Sequence, residues 1–264
     1  MSRTTTSICR FLQIRHHDLR RYEIMEWSDV DERSGGRMGI HLTSSGGTVR
    51  PGSYGLLTLY GEHTLGHGVR FERMVLRGTA HMRGGTAGEI DCDAGNIVCA
   101  GEMRAKSLRG QGRLRVSGDA HCGVLDFVGD VDVDGTVRCS GDVRLVGTLN
   151  AHTVSACDLG IEGTVHADRI TGRRVTIAPF ESTLLARHGI TRYTDPSVVE
   201  TVDGSTVRVS GLRCQRLCGT VVDVGAECEV EHIVYREDCH IASSASVSRM
   251  SKEWSEESRP RRRA

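Results

Sequence analysis

The stretch Gly112-Arg-Leu-Arg-Val-Ser-Gly118-Asp-Ala-His-Cys-Gly-Val-Leu-Asp-Phe-Val-Gly129-Asp-Val-Asp-Val-Asp-Gly135 decides the fold of this chain. Its glycines repeat at a fixed step, and the same step extends outward on both sides. The first series has steps of 17, 17, 17 and 18 residues and consists of Gly78, Gly95, Gly112, Gly129 and Gly147. The second series lies six positions later, has a constant step of 17 residues and consists of Gly84, Gly101, Gly118 and Gly135. A fixed period of this kind predicts a solenoid of stacked coils with glycine at the corners.

Apolar residues keep the step of the glycines and alternate with polar ones inside each segment, as in Val131-Asp132-Val133. Alternation with period two is typical of a strand with one face buried. The predicted core columns include Ile97, Leu114, Val131 and Leu149, then Val116 and Val133, then Val137, and finally Val143. They occupy three faces, so the sequence predicts an all-β, three-sided parallel β-helix of about 17–18 residues per coil.

Charged residues give an independent test of this register, because stacked coils place equivalent positions about 4.8 Å apart. Arg113 and Arg115 precede Asp130 and Asp132 by one period, and the series Asp126, Arg144, Glu162 alternates in sign. We therefore expect Arg113 to lie beside Asp130 and Arg115 beside Asp132 on one outer face.

Composition narrows the function classes. The 264 residues carry 34 Lys and Arg against 34 Asp and Glu, so no overall field attracts nucleic acid, and we expect no nucleic-acid partner. No signal peptide or membrane span is apparent, which predicts a cytoplasmic protein. In that compartment its 10 cysteines are expected to be reduced and buried as small apolar side chains.

The repeat also suggests boundaries. We predict a flexible tail over residues 1–50, a main β-helix block over 51–178, a connector over 179–200 that includes a short helix near 181–187, a second short block over 201–248, and a charged tail over 249–264. Solenoid ends expose unpaired backbone groups and apolar core, so they must be capped or paired. The predicted assembly residues near the ends are Leu57, Leu59, Ile241 and Val247.

The segments Leu76–Gly84, Gly112–Val154 and Cys228–Ile241 resemble the bactofilin family of bacterial polymer-forming cytoskeletal proteins. The resemblance spans residues 54–247. It implies a right-handed β-helix that joins end to end into filaments without nucleotide, has no catalytic residues and no cofactor, and serves as a scaffold that supports cell shape or positions client proteins. The period alone leaves the handedness open. The long segment before Tyr54 departs from the family pattern.

The main alternative is a left-handed hexapeptide-repeat acyltransferase, which usually needs a histidine on a loop between coils. The coils from Gly78 to Val154 run without such a loop, and His121 is predicted to face solvent. The sequence contains neither a G-x-G-x-x-G between a strand and a helix nor a Walker sequence. It therefore gives no indication of phosphate binding. The sequence therefore favours a protein that is not an enzyme.

Metal and disulfide chemistry each have candidate residues. His63 with His67, and Cys214 with Cys218, have spacings that zinc ligands use, but four convergent ligands are required, so we predict surface histidines and core thiols with no metal. Cys122 and Cys139 occupy equivalent positions of adjacent coils. Their parallel Cβ directions argue against a disulfide, and packed thiols are expected.

The tails suggest partners besides further copies of the chain. Apolar and Arg residues alternate between Ile8 and Tyr22, which gives two alternatives: a basic helix at the inner face of the membrane, or a solvated tail. The Arg-rich carboxyl terminus is predicted to be a solubilising tail.

Overall fold

The computed structural model describes residues 39–180 and 196–253, all within the unit Met38–Ala264. Every described element is a strand, and every pairing is parallel, which stacks about 12 turns into a β-solenoid. The strands are β1 (Ile40–Ser44), β2 (Gly47–Val49), β3 (Gly52–Leu65), β4 (Val69–Met82), β5 (Gly85–Cys99), β6 (Met103–Val116), β7 (Ala120–Val133), β8 (Thr136–Cys139), β9 (Val143–Ala178), β10 (Ser197–Val209), β11 (Leu212–Val224), β12 (Glu229–Ile241) and β13 (Ser246–Lys252). The predicted parallel β-helix is confirmed; its handedness stays a prediction.

One coil, β6, shows the three faces. Met103 and Ala105 point inward on the first face, Leu108 on the second, and Leu114 and Val116 on the third, with outward polar residues between them. We call these face A, face B and face C, and corresponding positions of other coils take the same letters. All the predicted core residues are buried, each at most 4 % exposed: Ile97, Leu114, Val116, Val131, Val133, Val137, Val143 and Leu149.

The solenoid begins earlier than the sequence suggested. β1 starts at Ile40, inside the segment predicted as a tail, and pairs in parallel with β3. The step from Leu42 to its register partner Leu57 is shorter than the step from Leu57 to its own partner Met74, and this short first step hides the coil from a search at the regular period. Residues 1–38, which hold most of the predicted tail, lie outside the described part of the chain.

The two predicted blocks form one continuous sheet. β10 pairs with β9, so Val198 stacks on His166 and Val209 on Ile177. The buried Ser197 accepts a hydrogen bond from the Val165 amide at 3.1 Å, although the two residues are far apart in sequence. The second block begins at Ser197 rather than 201 and its last strand ends at Lys252 rather than 248. Residues 181–195, including the predicted helix, and the tail beyond 253 lie outside the described residues.

A ladder of glycines marks the corner between faces B and C. Gly95, Gly112, Gly129 and Gly147 are register partners in successive coils. Gly129 has φ +131°, a conformation that side chains rarely adopt, and a Cβ there would run into the carbonyl oxygen of Gly112. At Gly112, Gly129 and Gly147 glycine is therefore required both by the positive φ and by the close approach of coils, and at Gly95 by the close approach.

The charge register is confirmed on face C. Arg113 Nη2 lies 3.0 Å from Asp130 Oδ2, and Arg115 is the register partner of Asp132. The Asp132 carboxylate accepts its hydrogen bond from the next coil instead, from Asn150 Nδ2 at 2.6 Å. Both predicted pairs are lateral neighbours, but only the first is an ion pair.

The expectation of two packed thiols at Cys122 and Cys139 is wrong, because the structure joins them in a disulfide. Coil stacking sets their Cα atoms 4.7 Å apart, which is within the span of a disulfide. Four other cysteines are free and buried, as expected for small core side chains: Cys92, Cys99, Cys214 and Cys228. The same expectation is wrong for Cys157, which is exposed, and for Cys218 and Cys239, which are half-buried.

Candidate functional site

The two ends of the solenoid are where its regular pairing stops. β1 and β2 pair only with β3, and β13 pairs only with β12, so within residues 39–180 and 196–253 their outer edges have no strand partner. Backbone donors and acceptors on such edges can continue the ladder with another strand. Each end also exposes a cross-section of the apolar core. The side chains in that cross-section determine which surfaces can bind there.

The carboxyl-terminal end face consists of Ile241, Val247 and Met250. Met250 continues the face A column directly below the fully buried Ile233, yet it is 52 % exposed because no described coil covers it. Ile241 and Val247 are half-buried at inward positions of faces B and C. The structure thus places both residues that were predicted for this end in the last turn.

The amino-terminal end face consists of Ile40 and Leu42. Ile40 occupies the face A column of Tyr54 and is 64 % exposed. Leu57 and Leu59, which were predicted to lie near this end, are 0 % exposed because β1 covers them. They are interior residues of the second coil, so the prediction that they lie at the end is wrong. The amino-terminal end lies one coil further out, in β1.

Sequence reasoning missed Ile40, Leu42 and Met250. Met250 could have been predicted from the repeat, because it follows Ile233 by the same step that separates Gly129 from Gly112. Ile40 and Leu42 alternate around His41 as core positions do, but the first step is irregular. A terminal strand is hard to predict from sequence, because only one neighbouring coil remains to show which of its residues point inward.

His63 is a buried polar residue close to the amino-terminal end. It is 1 % exposed, and among the described residues neither Nδ1 nor Nε2 has a hydrogen-bond partner. Gly47 and Ala80, its register partners above and below, offer the imidazole no polar side chain. The prediction of a surface histidine is wrong here, whereas His67 is exposed.

The structure does not bring the other candidate chemical groups together into a reactive site. No group of three or more His, Cys, Asp or Glu that could hold a metal ion occurs in the described ranges. His121 is half-buried with Nε2 3.4 Å from Glu102 Oε1, at a position on the outer side of face A. Burial raises the pKa of the Cys214 thiol to about 12, so this group is protonated and a poor nucleophile at neutral pH.

The sides of the solenoid are mostly polar and paired. Ion pairs link successive coils on its surface, at Arg77–Asp93, Arg113–Asp130 and Arg213–Glu229. Within the described coils there is no helix that is long and apolar enough to cross a membrane.

Comparisons with known proteins leave the family open. No family model matches the chain, and no curated protein or solved structure matches it either. The resemblance to bactofilins therefore stays a prediction.

Proposed function

We propose that this protein is a non-enzymatic scaffold that assembles end to end through its two end faces into filaments. The single observation that carries the proposal is that core columns run to the ends of the described solenoid and stop at exposed apolar residues, Ile40 at 64 % and Met250 at 52 %. The position of Met250 is fully buried one coil away, at Ile233, and that of Ile40 is partly buried one coil away, at Tyr54. Apolar residues exposed at such positions indicate missing partners rather than ordinary surface.

The sides and ends differ in a way that favours linear growth. Side faces present coil-to-coil ion pairs such as Arg113–Asp130, whereas the ends present unpaired edges of β1 and β13 beside apolar side chains. Association is favourable where both apolar area and ladder hydrogen bonds are gained. A contact that does not close on itself generates a filament.

Under this proposal the scaffold acts in the bacterial cytoplasm, where its amino-terminal segment can bind the inner face of the membrane. A solenoid can offer each client protein the same side surface in every copy along a filament. In this proposal the filament supports cell shape or positions clients, it needs no nucleotide, and its first partner is another copy of the chain.

The experiment is light scattering on the purified full-length protein over increasing concentration, with and without ATP or GTP. Growth of scattering in all three conditions, with filaments by negative-stain microscopy, is the expected result. A protein that stays monomeric at high concentration overturns the proposal. Transfer of an acetyl group from acetyl-coenzyme A to a small-molecule acceptor would instead support the β-helical acyltransferase.

A further inference from the structure

A groove of about 400 Å³ runs along face C over the last four coils. Its walls are two rows of outward side chains, since residues on one face two positions apart point the same way. The first row is Val198, Arg213, Glu229 and Ser246; the second is Glu200, Gln215, Glu231 and Ser248. Three coil spacings of about 4.8 Å give a length of about 14 Å, the length of an extended segment of about four to five residues.

The groove combines unpaired acid with apolar surface. Arg213 is engaged by Glu229, with Nε 3.0 Å from Oε2. Within the described part of the chain the carboxylates of Glu200 and Glu231 have no ion-pair or hydrogen-bond partner. Val198 adds an exposed apolar side chain, 44 % accessible, at the far end.

Nearby cations do not fill the groove. Arg216 lies on the neighbouring face A, where its Nε donates to Cys218 Sγ at 3.3 Å. Arg249 follows Ser248 at the corner of the last coil and is exposed. Among the described residues, the carboxylates of Glu200 and Glu231 inside the groove are thus left without a cation.

We propose that this groove binds the chain's own carboxyl-terminal segment, Arg259-Pro-Arg-Arg-Arg263. Its four guanidinium groups are opposite in charge to the two unpaired carboxylates, and Pro260 disfavours a helix. Arginine stems also pack well on apolar side chains such as Val198.

The length of the tail fits this path. The described chain ends at Glu253, whose amide donates to the Tyr235 carbonyl at the end of face A. From there back to Ser248, at the mouth of the groove, is about five strand residues, or about 17 Å. Residues 254–258 can span that distance when extended, which leaves Arg259 to Arg263 to lie along the groove. This contact does not depend on whether the ends assemble.

The test is zero-length carbodiimide cross-linking of the full-length Arg261→Lys variant, which keeps the charge. The chain has only two other lysines, Lys106 and Lys252, so cross-links from the introduced amine are unambiguous by mass spectrometry. We expect them to concentrate on Glu200, Glu229 and Glu231 and to fall several-fold in high salt. Glu200→Gln with Glu231→Gln, two changes at exposed positions, should cause a similar loss of the cross-link to Glu229, which keeps its carboxylate.

Mixing isotopically light and heavy protein identifies the occupant. Cross-links within one isotopic copy support binding of the chain's own tail. Mixed-isotope cross-links at the groove show instead that a second copy supplies the tail, which overturns the proposal. Cross-links spread over unrelated carboxylates, such as Asp126 or Asp223, or a Glu229 cross-link unchanged by Glu200→Gln and Glu231→Gln, overturn it as well.

Discussion

Arg113 donates hydrogen bonds from Nε and Nη2 to Asp130 Oδ2, at 3.3 and 3.0 Å, and the two residues are one coil apart in sequence. One ion pair thereby joins the coil of β6 to the coil of β7. Because both side chains are largely exposed, the pair reports the register more than it stabilises the fold, and exposed pairs typically contribute about 0.2–1 kcal/mol.

The first prediction uses this pair. Arg113→Asp alone places two carboxylates side by side and should lower the melting temperature, whereas Arg113→Asp with Asp130→Arg should recover most of the loss. Circular dichroism melts of the single and double variants measure the coupling. Purely additive losses would mean that the two residues are not neighbours.

The second prediction concerns the core. Val131→Asp buries an unpaired carboxylate at a position that is 0 % exposed and should cost several kcal/mol of unfolding free energy. Its chain neighbour Asp132 points outward, so Asp132→Ala removes only the hydrogen bond from Asn150 and should change the melting temperature little. Equal effects of the two substitutions would refute the assignment of inward and outward positions.

The third prediction concerns the glycine ladder. Gly129→Ala should destabilise strongly, because the new Cβ collides with the Gly112 carbonyl and the backbone holds φ +131°. Gly160→Ala is the matched control, since a Cβ there meets nothing within 4 Å. Thermal melts should separate the two variants clearly, and a harmless Gly129→Ala would show that coils are not this close.

The fourth prediction concerns His63. Replacing it by leucine removes two unsatisfied buried nitrogens, each of which costs about 1–3 kcal/mol, so His63→Leu should raise the melting temperature. His81→Leu is the control at a half-exposed position beside Glu62, and it should be nearly neutral. A lower melting temperature for His63→Leu would indicate that the imidazole has a partner in solution.

Much of this architecture could be predicted from sequence because it depends on repetition. Val131 and Arg113 each have equivalents one period away, so alternation, glycine spacing and charge all agree on their places. His63 shows that residue type can outweigh the repeat and give a wrong prediction. Its position has the same inward phase as Leu65, but histidines are usually interpreted as surface residues.

The first coil and the junction between the two predicted blocks could not be located in the same way. Leu42 stands closer in sequence to its register partner Leu57 than one regular period, and Ser197 stacks on the coil of Val165 across a much longer separation, so the period fails at both places. Pairing energy depends on spatial neighbours rather than on sequence spacing, and an insertion at a corner leaves the ladder intact. The predicted end residues Leu57 and Leu59 therefore proved to be interior.

Sedimentation velocity of the full-length protein beside Met250→Asp and Val128→Asp tests the central claim most directly. Met250 and Val128 are similarly exposed, at 52 % and 50 %, but Met250 lies on the carboxyl-terminal end face and Val128 on a side corner in the middle of the solenoid. We predict that the wild type and Val128→Asp form large species whose size grows with concentration, and that Met250→Asp stays small while keeping its β-sheet circular dichroism. A wild-type protein that remains monomeric, or two variants that behave alike, would contradict assembly through the ends.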